Sequence, residues 1–230
     1  MFLELKVLKE KYQSDAIFEY TLMKNFDSKV KYSMMETSEG IYKFGAPDVL
    51  LNSDVYKNNE KIINPYMNDG KRVLVFCREV DGVNVPLLFT VLVNKIRKNA
   101  KEIFSYFEEQ GVEVKVISGD NPITVSKVAI AAGIKNAEKY IDMNTITLDS
   151  EIDEIVKKYT VFGRVKPEQK KQIIKSLRAL DLKVAMTGDG VNDILAMKEA
   201  ECSIAMGTGS DAAREASKVV LMESDFAHMK

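Results

Sequence analysis

From about residue 91 to the C-terminus, short β-rich runs alternate with stretches of helical period, and glycines or prolines punctuate the changes. Parallel strands can be joined only by long crossovers, usually helical, so this alternation predicts a parallel α/β sheet. Ile96, Ala100, Ile103, Phe104 and Phe107 share one helical face, and Gly111 follows where a helix ends. "VEVKVI" (Val112–Ile117) predicts a strand. After "SGDN", Pro122 suits a first helical turn, with Val125, Val128, Ala129 and Ala132 inward and Gly133 as terminator. "TVFGRV" reads as another strand, and Pro167 opens a helix with Ile173, Ile174, Leu177 and Leu180 inward. The strand "KVAMT", the turn Gly188–Gly190, and the strands "CSIAM" and "KVVLM" around a helix near Asp211–Ser217 complete this half.

The first 90 residues carry a different pattern. "GIYKF" and "RVLVFCREVDGVNVPLLF" predict antiparallel strands, and Asp15 to Met23 predicts a helix. We therefore expect an α+β module over 1–90 and an α/β domain over 91–230, joined by a short strand-like run at Thr90 to Asn94. With 46% hydrophobic residues, 230 residues can build real cores. Thirty-three basic against 34 acidic side chains leave a net charge of -1, which argues against a nucleic-acid partner. Cys77, Cys202 and His228 do not have zinc-ligand spacing. The apolar run Pro86–Val93 is far short of the roughly 20 residues that span a bilayer, and Met1–Lys9 has no signal-peptide pattern. These features predict a soluble, cytosolic chain with no direct membrane insertion.

Chemistry concentrates at the expected C-terminal ends of the parallel strands, where ligands bind such sheets. "TGDGVND" (Thr187–Asp193) carries Asp189 and Asp193 across a glycine turn. The glycines let backbone N–H groups approach an anionic oxygen, and the carboxylates suit Mg²⁺, since alone they would repel a phosphate. As a lone tripeptide "GDG" could be only a tight turn. "SGDN" (Ser118–Asn121) offers a hydroxyl and backbone donors beside a helix N-terminus. Between the two loops, Arg164 and Lys170 can bring cations to the same phosphate, with Lys170 the preferred clamp.

Together "VISGDN", "VFGRVKPEQK", "TGDGVNDILAMKEAECSIAMGTGSDAAREAS" and "VVLMESDF" resemble the phosphorylation domain of P-type cation-transporting ATPases, over about Val91 to Phe226. The resemblance implies a haloacid-dehalogenase-like Rossmannoid fold, α/β in class, beside a small α+β nucleotide-binding domain. It implies that Asp189 carries Mg²⁺, that Asn192 and Asp193 support the phosphate site, and that Lys170 neutralises the transferring phosphoryl. Ser118, Gly119 and Asp120 would meet the phosphate end of ATP. In the first half, "FDSKVKYSMM" resembles the family segment that stacks a phenylalanine on adenine, which maps to Phe26 with Lys31 nearby. "FGAPD" resembles the Lys-Gly-Ala-Pro-Glu motif through Gly45, and Arg72 matches an arginine that reaches the nucleotide phosphates. The branch most resembled is that of bacterial pumps of the calcium-type and related kinds.

The sequence departs from the pattern in three places. No aspartate is followed by Lys-Thr, so the acceptor motif Asp-Lys-Thr-Gly-Thr is missing. Phe44 stands at the usual lysine of the Lys-Gly-Ala-Pro-Glu motif, and Asn94 at the aspartate of Asp-Pro-x-Arg, while Arg97 is retained. The resemblance then implies an N-terminally truncated portion of a pump at the cytoplasmic face of the membrane. Its partners would be ATP and the missing transmembrane, actuator and acceptor-strand segments, and loss of that strand would expose sheet edges. The alternatives are a free-standing nucleotide-binding or regulatory module, and a phosphatase of the haloacid-dehalogenase class, which would also need a nucleophilic aspartate.

Overall fold

The computed structural model describes residues 19–27, 30–93 and 95–229. The chain divides into two compact units, residues 1–94 and 95–230.

The first unit is built on an antiparallel sheet in the order β1-β2-β3-β4-β5, comprising β1 (Tyr20–Asp27), β2 (Tyr32–Thr37), β3 (Gly40–Gly45), β4 (Arg72–Val80) and β5 (Val83–Leu92). Sequence order equals spatial order, so each neighbour is reached through a local connection, with α1 (Pro47–Leu50) and α2 (Ser53–Asn68) inserted between β3 and β4. Alternation along β4 buries Val73, Val75 and Cys77 against Leu50, Leu51, Ile63 and Met67. Asn52 starts α2 by accepting a hydrogen bond from the Val55 N–H at 2.9 Å. The helix expected over Asp15–Met23 is corrected from Tyr20 onward, where β1 pairs with β2; residues 15–18 lie outside the described residues. Tyr20, Leu22 and Met23 carry strand-compatible side chains, and cross-strand pairing overrides the helical reading.

The second unit is parallel throughout its ladders, in two sheets of three strands ordered β6-β8-β7 and β11-β10-β9 among the described residues. Its elements are α3 (Ala100–Glu109), β6 (Val116–Ile117), α4 (Pro122–Ala132), β7 (Tyr140–Asp142), α5 (Asp149–Lys158), β8 (Val161–Gly163), α6 (Pro167–Ala179), β9 (Ala185–Gly188), α7 (Ile194–Glu199), β10 (Cys202–Met206), α8 (Asp211–Ala216) and β11 (Val219–Leu221). Helix α6 serves both sheets. Ile173 and Leu177 pack with Phe162 and Ile152 in one cluster, while Ile174 packs with Met186, Met197 and Ala205 in another. The strand expected over Val112–Ile117 is ordered as β only at Val116–Ile117, because β6 has a partner on one side alone, the three-residue β8. Ile96 precedes α3 rather than belonging to it.

No helix among the described residues is long and apolar enough to cross a membrane.

Candidate phosphate and nucleotide sites

In the second unit, the loops that follow β6, β8 and β9 supply the polar groups. Lys170, in the first turn of α6, donates to Asp193 Oδ1 at 2.6 Å. The other carboxylate oxygen of Asp193 accepts from the backbone N–H groups of Asp189 and Gly190, each at 3.3 Å. Asp193 is buried, so its charge is offset by one ammonium and two aimed amides. Gly188 makes this closure possible, since a Cβ there would stand 2.6 Å from the Asp193 Cβ. Asp189 itself points its backbone carbonyl at the Ser210 N–H, 2.8 Å away, and is exposed to solvent. Asn192 is exposed on the short helical turn between Gly190 and α7.

The loop after β6 is stitched to the end of β8. Ser118 Oγ accepts from the Asp120 N–H at 3.1 Å, the Ser118 carbonyl accepts from Val165 at 3.0 Å, and the Asp120 carbonyl accepts from Arg164 at 2.8 Å. Asn121 caps α4 by accepting from Ile123 at 3.0 Å. Gly119 is exposed at the tip. Arg164 adopts a left-handed φ of 53, a strained conformation for arginine, and its guanidinium pairs with Asp142 at the end of β7. Arg164 therefore fixes the loop rather than joining Lys170 on Asp193. Asp142 was not singled out from the sequence, since nothing local signals a pairing with a residue 22 positions away.

The metal reading narrows. Both oxygens of Asp193 are engaged, and no group of three or more His, Cys, Asp or Glu capable of holding a metal exists among the described residues. Mg²⁺ keeps several waters and commonly takes one or two carboxylates together with substrate phosphates, so a solvent-facing Asp189 beside the glycine turn fits it as the protein's carboxylate ligand. Asp193 holds the turn and Lys170 in place.

In the first unit, antiparallel register gathers the remaining candidates at one end of the sheet. Asp27 pairs with Tyr32, Tyr32 with Gly45, and Gly45 with Val75, so Phe26, Lys31, Gly45 and Arg72 occupy adjacent strand ends. Lys31 has a left-handed φ of 61, and its carbonyl lies where a Cβ on Gly45 would come within 2.5 Å. Glycine is thus required for the two segments to touch. Lys43 does not replace the lysine missing at Phe44, because adjacent strand residues face opposite sides; it pairs with Glu79 and lies 5.9 Å from the Tyr32 ring centroid. On the Phe44 side, Tyr42 and Phe76 stack with centroids 5.6 Å apart.

The family model for haloacid dehalogenase-like hydrolases matches residues 24–201. A Streptococcus pneumoniae protein named "Probable cation-transporting ATPase exp7" is 36% identical over 96% of this chain and 29% of its own length. The "Calcium-transporting ATPase CtpE" of Mycolicibacterium smegmatis is 37% identical over 97% of this chain and 29% of its own. The chain thus spans about three-tenths of the length of these curated relatives. In fold it is similar to the catalytic domain of the CPx-ATPase CopB-B, with a TM-score of 0.63 at 20% identity, covering 99% of this chain and 70% of that one.

Proposed function

The chain belongs to the haloacid dehalogenase-like hydrolase family and corresponds to the cytoplasmic catalytic region of P-type ATPases, and from that premise we propose that it is the ATP- and Mg²⁺-binding portion of a cation pump. The observation that carries this reading is the Lys170–Asp193 pair closed over the amides of Asp189 and Gly190. A phosphoryl group entering beside it meets an ammonium already oriented by a carboxylate, so little reorganisation is needed as charge develops. Lys170 has three donors and spends one on Asp193, which leaves two for phosphoryl oxygens. The Ser118 hydroxyl, accepting from Asp120, keeps its own O–H to donate.

Mg²⁺ bound through Asp189 would supply charge neutralisation at the phosphates. Phe26 would offer its ring to adenine, with Lys31, Gly45 and Arg72 at the same sheet end. The attacking carboxylate is supplied by polypeptide outside this sequence, as is the selection of the transported cation. This chain then binds nucleotide and does not phosphorylate itself.

The test is calorimetric titration of ATP into the purified chain with and without Mg²⁺, beside Phe26→Ala and Asp189→Asn. We expect saturable binding, at least about tenfold weaker in Phe26→Ala, a change worth one stacking contact, and no Mg²⁺ enhancement in Asp189→Asn. A folded chain that shows no saturable binding would refute the assignment.

A further inference from the structure

The loop after β10, residues 207–210, is glycine-rich and lies against the turn at Asp189, yet it spends its amides inward. The N–H of Gly207 donates to the Leu221 carbonyl at 2.8 Å, that of Thr208 to Ser224 Oγ at 3.0 Å, that of Gly209 to the Met206 carbonyl at 2.8 Å, and that of Ser210 to the Asp189 carbonyl at 2.8 Å. Arg214, on α8, draws the loop closed by donating to the carbonyls of Gly207 at 2.7 Å and Gly209 at 3.2 Å. An anion site of the backbone kind needs amides that point outward, so this loop is a support rather than a phosphate cradle. It is also wedged from both sides. A Cβ on Gly209 would stand 2.7 Å from the Asp189 carbonyl oxygen, and one on Gly207 would stand 2.3 Å from that of Met222.

Behind the loop sits Ser224, buried and held at a left-handed φ of 52, which a serine adopts only under strain. Its hydroxyl accepts from the Thr208 N–H and shares a second hydrogen bond with Thr208 Oγ1, each at 3.0 Å. The next residue, Asp225, accepts from the Ala227 N–H at 2.9 Å and from the Asn99 side-chain amide at 3.4 Å, with the Arg97 guanidinium 3.6 Å away. A continuous path therefore runs from Arg97 and Asn99 through Asp225, Ser224, Thr208 and Ser210 to Asp189. At its end both backbone groups of Asp189 are fixed, the N–H on Asp193 at 3.3 Å and the carbonyl by Ser210, while the residue itself stays exposed.

We propose that Ser224 and Thr208 are positioning residues for Asp189: they hold the loop so that Ser210 fixes the Asp189 carbonyl and the carboxylate is presented to a metal ion. Asp225 anchors this strut to Arg97 and Asn99. The pair acts through Asp189 and supplies no ligand of its own, as partners that orient metal-binding side chains commonly do. That the ion is Mg²⁺ bound with ATP rests on the function proposed above; the mechanical link from Ser224 to Asp189 does not. The strain at Ser224 is part of the argument, because glycine would accept this φ freely and only a side chain can make the two bonds to Thr208.

The test takes two readouts on the full chain: amide hydrogen exchange without nucleotide or metal, and calorimetry of ATP binding with and without Mg²⁺. Ser224→Gly removes the hydroxyl while relieving the backbone. It should speed exchange at the Ser210 amide and cut the Mg²⁺ enhancement of ATP affinity, each by about fivefold, the worth of one hydrogen bond, and leave ATP affinity without Mg²⁺ unchanged. Thr208→Val, at an exposed position, should move both readouts the same way by less, and it carries the test if Ser224→Gly does not fold. Thr208→Ser keeps both bonds and should behave as the unmodified chain, while Asp225→Ala should give a smaller loss of the same sign. Two results overturn the proposal: Ser210 exchange that does not change in these variants, or a lower melting temperature with the Mg²⁺ enhancement intact, which marks a hydroxyl that only stabilises the fold. An unmodified chain that ignores Mg²⁺ would refute the metal reading of the proposed function, and exchange at Ser210 would still decide whether Ser224 holds the loop.

Discussion

The two units solve the same task, bringing distant residues to one end of a sheet, by opposite topologies. In the first unit, strands adjacent in sequence are adjacent in space, and hairpin register alone lines up Phe26, Lys31, Gly45 and Arg72. In the second, spatial order runs β6-β8-β7 and β11-β10-β9, and crossovers set the loops after β6, β8 and β9 side by side. Local pairing gives the first unit a sheet that needs no outside strand at its centre. Crossover pairing leaves the second in two separate three-stranded sheets among the described residues, and α6 packs against both.

The largest effect should come from that helix. Ile173 and Ile174 are both buried, and truncating either to alanine should cost roughly 2–5 kcal/mol. Each variant should raise hydrogen exchange in both sheets of the second unit together and leave residues 20–92 unchanged. Ile63→Ala should do the reverse, with a cost of similar size confined to the first unit. If Ile173→Ala loosens only β6-β8-β7, the second unit consists of two independently opening parts and α6 is not their joint support.

Next in size is Lys170→Met. Removing one partner of a buried pair strands a charge, at a cost of about 3 kcal/mol, and the two amides on Asp193 should lessen that. Urea unfolding followed by site-resolved exchange should place the loss in the second unit. The double variant Lys170→Met, Asp193→Asn should recover part of it, because no unpaired charge remains. Equal losses in the single and double variants would mean that the pair does not hold the turn.

How much of this was readable from the sequence follows the same division. Alternating periods with glycine stops exposed the parallel half, and "TGDGVND" exposed its turn, because those signals are local. The extent of β6 was not readable, since strand length depends on a partner and "VEVKVI" finds one only at its end. Helix α2 was missed because its burial rests on Ile63 and Met67 within a polar stretch, although Asn52 and Gly70 mark its ends. Arg164 looked like a phosphate ligand by chain position, but the side chain follows a left-handed backbone to Asp142. Asp193 reads as a metal ligand by its spacing from Asp189, and only the fold shows that its oxygens also take Lys170 and the amides of Asp189 and Gly190.

A pH titration probes the second unit from its far side. Glu201 accepts from the Val184 N–H at 2.9 Å and from Arg178 Nε at 2.8 Å, and chiefly the backbone bond, then the arginine, pulls its pKa from 4.5 down to about 2. The folded carboxylate stays ionised where the unfolded one takes up a proton. Its stabilisation is therefore complete above about pH 4.5 and is lost as pH falls toward 2. Glu201→Gln should flatten that part of the acid-unfolding curve of residues 95–229 and leave the first unit's curve unmoved. Salt should reduce only the arginine share, because both side chains are partly exposed. An unchanged acid curve in Glu201→Gln would show that this clamp contributes nothing measurable.

The smallest effect compares one device used in both units. Asn52 caps α2 and Asn121 caps α4, each accepting a backbone N–H at 2.9–3.0 Å. Alanine at either position should cost about 1 kcal/mol, and serine or aspartate should restore it. The two positions should part on binding. Asn52→Ala lies away from the sheet end that carries Phe26 and Arg72, and should leave ATP affinity unchanged. Asn121 closes the loop that holds Ser118 and Asp120, so Asn121→Ala should weaken ATP binding severalfold beyond its stability cost, with Asn121→Ser giving partial rescue. Equal ATP affinities in the two alanine variants would mean that the loop after β6 is only a helix cap, and that the phosphate site consists of Lys170 and the turn at Gly188–Gly190 alone.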